Sequence, residues 1–392
     1  MTPAARLQAA IEILDEVIAS ARSDGPPADI IVTRYFKTRR YAGSGDRRAV
    51  RELVFRAIRR SAERPASGRA AMLGLADDDP DLRQQFGVVR GPPAIGDAER
   101  GSPAAAVPAW LASELSSLVE PADWAALLER APLDLRVNVA RASRDALIGQ
   151  FPGAQPTRLS PWGLRLPPDT RIDDHPAYAE GLVEVQDEGS QLVALACQPG
   201  DGQRLLDLCA GGGGKALALA AAAAPGAQIL ATDTNRSRLS KLAPRAAKAH
   251  ARIETRLLNP THEVGALADW VGTADVVLVD APCSGSGTWR RNPEGRWRLN
   301  PERLERLVRV QSDLLDIGAE LVRPGGALVY AVCSVLAVEG EQQVAAFLAR
   351  CSSWVAQATP IEAGRLNGMG RLLVPGQDGT DGFFVARLNR PC

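Results

Sequence analysis

The stretch Arg204–Ala224, RLLDLCAGGGGKALALAAAAA, sets the expected fold. It begins with a short apolar run, continues through the four glycines Gly211–Gly214, and ends in a strong helix-forming run of Ala and Leu. A strand, a glycine turn and a helix in this order open a doubly wound α/β domain. Glycines let the backbone reach positive φ and approach a ligand closely, and the first helical turn offers unpaired N–H groups. The stretch therefore predicts a ligand-binding α/β domain.

An acidic residue, Asp233, ends the next apolar run, Gln228–Asp233. In doubly wound domains an acid about 20 residues beyond the glycine turn binds the ribose hydroxyls of the ligand. A Walker-type phosphate loop is disfavoured, because Lys215 is followed by Ala216 rather than by Ser or Thr. A tight packing turn without a ligand is the alternative.

Length and charge bound the function. The chain has 392 residues, of which 45% are hydrophobic, and this predicts two or three domains with real cores. The 46 basic and 46 acidic residues balance, so no global attraction to a polyanion is expected. Residues 34–69 nevertheless carry twelve Lys or Arg against three Asp or Glu. Such a block is typical of a phosphate-binding face, with a solvated helix surface as the alternative.

The six cysteines lie far apart without a CxxC pair, and the three histidines are scattered. This spacing indicates neither a metal site nor a disulfide framework, and it fits a reducing, cytoplasmic location. The N-terminal sequence has acidic residues within its apolar pattern, which predicts no secretory signal. No apolar run is long enough to span a bilayer, so no membrane partner is expected.

Apolar periodicity divides the chain into regions of different secondary structure. An all-helical part is expected up to about residue 130, with short helices and loop over 61–108 and longer helices over 4–22, 30–41, 46–60 and after Pro108. A small α/β module follows, with strands at Leu133–Asn138 and Gly163–Pro167 and a helix at Asp145–Phe151. Strands and helices then alternate regularly, with strands at 204–208, 228–232, 253–258, 275–280 and 327–333 and a helix at Pro301–Leu321.

Two cysteines follow apolar strands of the main domain. Cys283 comes three residues after Asp280, which ends the run Val276–Asp280, and Cys333 ends the run that contains Tyr330. The carboxyl ends of strands in open α/β sheets face the ligand cleft, which favours a functional role for both thiols. A buried, purely apolar role is the alternative for each cysteine taken singly.

Thiols beside such a cleft suit chemistry on a cytosine ring. A thiolate that adds to C6 turns the ring into an enamine, and C5 can then attack an activated methyl group. The ring also needs a proton donor or polar partner at N3, which the carboxyl group of Asp280 could provide. A second cysteine could assist loss of the C5 proton and release of the enzyme.

Residues 183–392 resemble the Sun-type (RsmB/NOP) family of RNA cytosine-5 methyltransferases, which use S-adenosylmethionine. DNA cytosine methyltransferases are only loosely similar, since they lack the second cysteine. The matching stretches, in family order, are Val185–Gln191, Asp207–Lys215, Asp233, Asp280–Thr288, Arg290–Pro293, Cys333–Ser334 with Glu339–Glu341, and Asp381–Phe384.

The resemblance implies a role for each matched residue. Cys333 would be the nucleophile, Cys283 would help release the product, and Asp280 would lie between methyl donor and base. Asn259 stands nearest to the position of the family's adenine-contacting acid. The implied cofactor-binding residues are Cys209, Ala210, Gly211, Gly212, Gly213, Gly214, Lys215, Asp233, Asn259 and Asp280.

The chain departs from the family pattern in the cofactor loop. Gly211 and Gly212 replace Ala-Pro, and Ala216 replaces Thr. Each added glycine costs up to about 1 kcal/mol in backbone ordering. We therefore expect a more flexible loop and a weaker hold on the cofactor. Gly340 also replaces the Asn of the family's Glu-Asn-Glu block.

The front of the chain resembles the bacterial branch of this family that methylates small-subunit ribosomal RNA. That branch carries a helical NusB-like RNA-binding domain, here matched weakly by Gly45–Arg48 and Glu52–Phe55, and then a linking domain. The expected domains are a helical NusB-like domain at 1–130, a small α/β linking module at 131–182 and a Rossmann-like methyltransferase domain at 183–392.

Arginines in two places are expected to contact RNA. Arg47, Arg48 and Arg51 lie on the basic helix, and Arg290 and Arg291 follow the Pro-Cys block. The second group is interleaved with aromatic and further basic residues that suit stacking on a flipped-out base, with core tryptophans and solvated arginines as the alternative. These companions are Trp289, Arg296, Trp297 and Arg298.

The sequence thus predicts a monomeric, metal-free methyltransferase that forms 5-methylcytosine in RNA during rRNA processing, with 16S rRNA as the expected target. The same chemistry on tRNA is one alternative. A non-catalytic RNA-binding ribosome assembly factor is the other.

Overall fold

The computed structural model describes residues 1–23, 25–167 and 170–392. These residues form two compact units, which we call the helical unit and the sheet unit. The helical unit comprises Met1–Leu115, Trp124–Glu129 and Thr288–Pro301. The sheet unit comprises Ser116–Asp123, Arg130–Gly287 and Glu302–Cys392.

Packed amphipathic helices build the helical unit. The first helix begins after Thr2, whose Oγ1 accepts the Ala5 N–H at 3.2 Å, and its apolar residues at helical spacing are buried in the core. The helices are α1 (Pro3–Arg22), α2 (Ala28–Lys37), α3 (Ser44–Arg60), α4 (Gly68–Asp77) and α5 (Pro80–Arg83), followed by a 3₁₀ turn at Ala109–Glu114.

The predicted helices over 4–22 and 46–60 are confirmed. The second helix ends at Lys37, short of the predicted Tyr41, because turn bonds such as Ala42 N–H to Arg39 O replace the helical ones before α3 begins. The helix predicted after Pro108 is a single 3₁₀ stretch, since Leu115 already has extended backbone geometry.

The segment Thr288–Pro301 belongs to the helical unit, although it directly follows the cysteine-bearing part of the chain. Trp297 is 2% exposed and joins the core of α1 to α4, and its Nε1–H donates to Ser61 O at 2.8 Å. The Arg296 side chain is 1% exposed. Its guanidinium donates to the backbone carbonyls of Pro293, Ala106, Ile58 and Arg59.

The sequence-based expectation of a surface that stacks on RNA bases is therefore wrong for three of the four residues that accompany Arg290 and Arg291. Trp289, Arg296 and Trp297 are buried in the helical unit, and half-buried Arg298 donates to the carbonyls of Gly25 and Pro26. An aromatic and basic composition fits a stacking surface equally well until the packing partners are known. Here the partners are backbone carbonyls and apolar side chains of the helical unit.

A small antiparallel sheet opens the sheet unit. Its strand order is β2-β3-β1-β4. The elements are β1 (Leu133–Val137), α6 (Arg144–Ile148), β2 (Gln155–Pro156), β3 (Gly163–Leu166), α7 (Pro176–Ala179) and β4 (Val183–Val185). The predicted strands and helix are present, and β4 pairs with β1 beyond the expected boundary at residue 182. Three residues carry too little periodicity to reveal that pairing from sequence.

A large mixed sheet follows, with strand order β11-β12-β13-β9-β8-β5-β6-β7 and β10 beside β13. Its elements are α8 (Glu188–Ala196), β5 (Arg204–Asp207), α9 (Gly214–Ala222), β6 (Gln228–Asp233), α10 (Arg236–Leu239), α11 (Leu242–Ala249), β7 (Glu254–Leu257), α12 (Glu263–Ala266), β8 (Ala274–Asp280), α13 (Pro301–Leu321), β9 (Val322–Val332), α14 (Glu341–Arg350), β10 (Val355–Gln357), β11 (Arg365–Asn367), β12 (Gly370–Leu373), α15 (Pro375–Asp378) and β13 (Phe383–Asn389).

The five strands predicted for the main domain are confirmed as β5 to β9, and they pair in parallel. Strand β9 begins at Val322, earlier than predicted. The prediction missed this start because Arg323, Pro324 and Gly325 are exposed and carry no apolar pattern. The chain runs outward from β5 in both directions of the sheet, so the carboxyl ends of β5, β8 and β9 lie side by side. None of the described helices is both long and apolar enough to cross a bilayer.

Candidate active site

The two cysteines predicted at strand ends meet in the structure. Strands β8 and β9 pair in parallel with Asp280 opposite Ala331, so the residues that follow them leave the same edge of the sheet. The Sγ atoms of Cys283 and Cys333 are 3.4 Å apart. Both side chains are half-buried and both are free thiols.

The pair is electrostatically asymmetric. The pKa of Cys283 is raised well above its ordinary value, first by its hydrogen bond to Cys333, then by burial and by the charges of Cys333 and Glu339. Cys283 therefore stays a thiol. Either sulfur can donate in this contact, and a protonated Cys283 is able to donate to a thiolate at Cys333. A donated proton stabilises negative charge on the acceptor sulfur, which is the requirement for a nucleophilic thiolate.

A partly buried ion pair lies near the cysteines. Lys215 Nζ donates to Asp280 Oδ2 at 2.7 Å and lies 5.2 Å from the centre of the Phe383 ring. Burial lowers the pKa of Lys215, but the charge and hydrogen bond of Asp280 outweigh burial, so the net shift is upward. Lys215 is thus a protonated lysine that pairs with Asp280 and donates a hydrogen bond to its carboxylate.

The glycine loop has the backbone geometry that its sequence predicts. Helix α9 begins at Gly214 after Gly213, whose φ is +81°, and a Cβ on Gly213 would collide with the Leu242 side chain. Gly211 has φ of +55°, and its N–H donates to Asp233 Oδ2 at 2.8 Å. Asp233 therefore faces the loop, and its contact with the ribose of the cofactor stays a prediction.

The loop is anchored more firmly than its extra glycines suggest. The Arg245 guanidinium donates to Gly212 O and also pairs with Glu184 at 2.9 Å. Arg136 donates to Gly214 O at 3.0 Å. Hydrogen bonds from side chains outside the loop thus restrict the loop backbone, as a proline would do through its fixed φ.

Comparison with known proteins identifies the family. Residues 194–389, half of the chain, match the 16S rRNA methyltransferase RsmB/F family. The chain belongs to this family. It is an RNA methyltransferase whose methyl donor is S-adenosylmethionine, and the predicted family, enzyme class and cofactor are confirmed.

The relatives support the same assignment. The ribosomal RNA small subunit methyltransferase B of Xylella fastidiosa Temecula1 is 37% identical over 297 residues, which are 72% of this chain and 67% of the relative. That of Citrobacter koseri is 34% identical over 293 residues, 72% of this chain and 66% of the relative. The chain therefore spans about two thirds of the length of these relatives.

Solved structures show the same fold. A methyltransferase homologue from Pyrococcus horikoshii is 24% identical with a TM-score of 0.61, covering 71% of this chain and 92% of that one. NSun6 from the same organism is 19% identical with a TM-score of 0.60, covering 68% and 92%. The doubly wound, Rossmann-like α/β fold predicted from the glycine turn is therefore confirmed.

Asp207, at the end of β5, is a residue of this RsmB/F domain to which sequence reasoning gave no role. It is fully buried, and neither carboxylate oxygen has a partner of ordinary hydrogen-bond geometry among the described residues. Burial, followed by the charge of Asp280, raises the pKa of Asp207 to about 7, although the Ala216 N–H opposes this shift. An acid that closes an apolar strand directly before a glycine turn was the signal available in the sequence.

This set of residues fits S-adenosylmethionine. The cofactor carries an ammonium group and hydroxyl donors, and Asp207 and Asp233 supply buried carboxylate oxygens on either side of the glycine loop. The N-terminus of α9 adds backbone N–H groups for a carboxylate. Because the two carboxylate oxygens of Asp207 have no ordinary donors among the described residues, a cationic ligand complements the site.

The remaining predicted cofactor residues differ in their surroundings. Cys209 has a pKa raised well above its usual value by burial and then by Asp207, Asp280 and Asp233, so it stays a thiol. Ala210 donates its N–H to the carbonyl of Thr232, on β6, at 2.8 Å. Asn259 is exposed just beyond β7. Its contact with the cofactor stays a prediction.

The predicted RNA-binding arginines fall into two classes. Arg47, Arg48 and Arg51 are exposed on α3 and are available to a phosphate backbone. Arg290 is 7% exposed and Arg291 is half-buried, within the segment that packs in the helical unit. Arg290 therefore offers little surface to RNA, contrary to the expectation from its sequence neighbours.

Proposed function

We propose that the chain is an RNA (cytosine-5)-methyltransferase that acts on 16S rRNA, with Cys333 as the nucleophile. The single observation that carries the chemistry is the 3.4 Å approach of the Cys283 and Cys333 sulfurs at the ends of β8 and β9. The target is supported by the names of the relatives, which are small-subunit ribosomal RNA methyltransferases.

The first step is covalent. Cys333 Sγ, which accepts the hydrogen bond of Cys283, adds to C6 of the cytosine, and the electron pair of the C5–C6 bond moves toward N3. Asp280, held in place by Lys215 Nζ at 2.7 Å, takes up a proton from solvent and passes it to N3. S-adenosylmethionine, when bound, supplies the electrophilic methyl group that C5 takes up.

Release requires a base for the C5 proton. The largest cause of the raised pKa of Cys283 is its hydrogen bond to Cys333. Once Cys333 Sγ is bonded to carbon, its hydrogen bond and its charge no longer raise the pKa of Cys283, although burial and the charge of Glu339 still do. The pKa of Cys283 is then lower than in the free protein, and its proton passes to water. The Cys283 thiolate then takes the C5 proton, the C6–S bond breaks, and Cys333 leaves as a thiolate. N3 returns its proton to Asp280, which leaves neutral 5-methylcytosine. The contact between the two sulfurs thus lets Cys333 act first as the nucleophile and Cys283 act later as the base.

The helical unit would bind the RNA. Its exposed arginines at Arg47, Arg48 and Arg51 support a phosphate-contacting role like that of a NusB-like domain. The expected cytoplasmic location and monomeric state stay predictions.

Product analysis tests the function. The purified chain is incubated with S-adenosylmethionine carrying a deuterated methyl group and with either a 16S rRNA transcript or a tRNA pool, and nucleosides are analysed by mass spectrometry. We expect labelled 5-methylcytidine in the 16S transcript only. Label in tRNA alone would assign the tRNA alternative, and RNA binding without label would favour the assembly-factor alternative.

A further inference from the structure

A buried carboxylate lies behind the two cysteines. Glu339 is fully buried in the turn between Cys333 and α14. Its Oε2 accepts the hydroxyls of Ser284 and Ser334, each at 2.5 Å. Its Oε1 accepts the Ser284 N–H at 2.8 Å and the Gln311 Nε2–H at 2.9 Å. A carboxylate removed from water needs such a full set of donors, so the loss of any of the four contacts would be costly.

The partners of Glu339 are the residues that directly follow the two cysteines. Ser284 follows Cys283, and Ser334 follows Cys333. Gln311, on α13, also donates to Pro282 O at 3.0 Å, on the other side of Cys283. One carboxylate therefore joins both cysteine-bearing loops at adjacent backbone positions.

Further bonds tie the same two loops without touching the sulfurs. The Ser286 and Ser334 hydroxyls are 2.9 Å apart, the Val335 N–H donates to Ser286 Oγ at 3.0 Å, and the Gly287 N–H donates to Cys333 O at 3.1 Å. Glu339 is the charged centre of this network, because it is the acceptor for donors on both loops and on α13.

We propose that Glu339 is a positioning residue that fixes the distance between Cys283 Sγ and Cys333 Sγ. This inference deepens the proposed function and rests on it for its catalytic consequence. A hydrogen bond between two half-buried thiols is weak in itself, so the thiols do not determine the spacing of the loops. The four bonds to Glu339 do, and a change of about an ångström there would separate the two sulfurs beyond hydrogen-bond distance. The proposed division of the reaction between Cys283 and Cys333 depends on that contact.

A distance-dependent thiol reagent tests the spacing. Dibromobimane becomes fluorescent when it alkylates two nearby thiols, and its reaction is followed here on the full chain without RNA or cofactor, in a background with Cys351→Ser and Cys392→Ser. The variants are Glu339→Ala and Glu339→Gln. The control is Glu188→Gln, a buried carboxylate that accepts the Leu159 and Ser160 N–H groups away from the cysteines.

We expect Glu339→Ala to lower the rate of linking Cys283 to Cys333 by about tenfold and kcat by about a hundredfold, since an ångström of misplacement has effects of this size. KM for S-adenosylmethionine should not change. Glu339→Gln should lie between, because its amide keeps one acceptor and the two serine hydroxyls can rotate to accept. Glu188→Gln should link at the wild-type rate.

Wild-type linking rates in Glu339→Ala, or an equal loss in Glu188→Gln, would overturn the proposal. If Glu339→Ala fails to fold, Glu339→Gln decides, and an unchanged linking rate in that variant would also overturn it. Because the linking reaction needs neither RNA nor cofactor, a wild-type chain that forms no 5-methylcytidine would refute the proposed function without touching the result for Glu339.

Discussion

Two neighbouring parts of the chain, Asp280–Gly287 and Thr288–Pro301, differ in how well their sequence predicts their surroundings in the fold. The first follows β8 and carries Cys283 to Cys333 within the sheet unit. The second enters the helical unit, where Trp297 and Arg296 are buried. The position of a strand-end residue follows from the sheet itself, whereas the position of a loop residue depends on which partners it finds.

The comparison predicts that the first part governs chemistry. Cys333→Ala should lower the rate of methyl transfer by at least about 10⁴-fold, the scale seen when a catalytic nucleophile is removed, with little change in the free energy of unfolding. Single-turnover transfer to RNA measures the rate. Cys351→Ser is the control, and full activity of Cys333→Ala would remove this cysteine from the reaction.

Asp207, at the end of β5, should make stability depend on pH. Its pKa is raised from 3.8 to about 7 in the folded chain, so the folded state holds the proton more tightly than the unfolded state between these values. Stability is therefore highest at the acidic end of this window and falls as pH rises toward 7, by up to about 4 kcal/mol.

Asp207→Asn should abolish that decrease. Urea unfolding of both proteins without cofactor from pH 5 to pH 8 measures it, and the difference in unfolding free energy between variant and wild type should grow with pH. Parallel pH curves for the two proteins would show that the Asp207 carboxyl titrates normally.

The second part should govern stability of the helical unit. Arg296→Ala removes the guanidinium donor from the carbonyls of Ile58, Arg59 and Ala106, of which Ile58 O keeps the Ser61 N–H. This loss should lower the free energy of unfolding by about 3 kcal/mol. Arg48→Ala on the exposed side of α3 is the matched control and should change it by less than about 0.5 kcal/mol. Equal stability of the two variants would mean that the segment is only loosely attached.

The exposed arginines should give the smallest effect. Replacing Arg47, Arg48 and Arg51 together by Ala should weaken RNA binding and reduce the slope of log K against log salt by about 2 to 3, since each phosphate contact contributes about 0.7 to 0.9. Arg290→Ala should leave the slope unchanged because that side chain is buried. The reverse result would restore the sequence-based expectation for Arg290.

Much of the sheet unit was predictable because strands and helices leave periodic signals. The runs that became β5 to β9, the glycine turn and the two cysteines at strand ends follow from apolar patterning and from the rule for the carboxyl ends of parallel strands. The pairing of β4 with β1 was not, since three residues carry no usable period.

The other features that sequence reasoning missed are set by tertiary packing. Trp297 and Arg296 look like a nucleic-acid surface until α3 is seen to supply carbonyls for the guanidinium. Asp207 is significant because it is buried without ordinary hydrogen-bond partners among the described residues. Glu339 is significant because of the donors that surround it. No local pattern encodes those donors, because they come from residues up to 55 positions away.

The central claim is that the two touching thiols divide one reaction between them, and covalent trapping tests it most directly. Cys283→Ala is mixed with RNA substrate and S-adenosylmethionine, and the products are separated on a denaturing gel. The account predicts a stable protein–RNA adduct in Cys283→Ala that disappears in the Cys283→Ala/Cys333→Ala double variant. Normal turnover by Cys283→Ala, or an adduct that persists without Cys333, would contradict it.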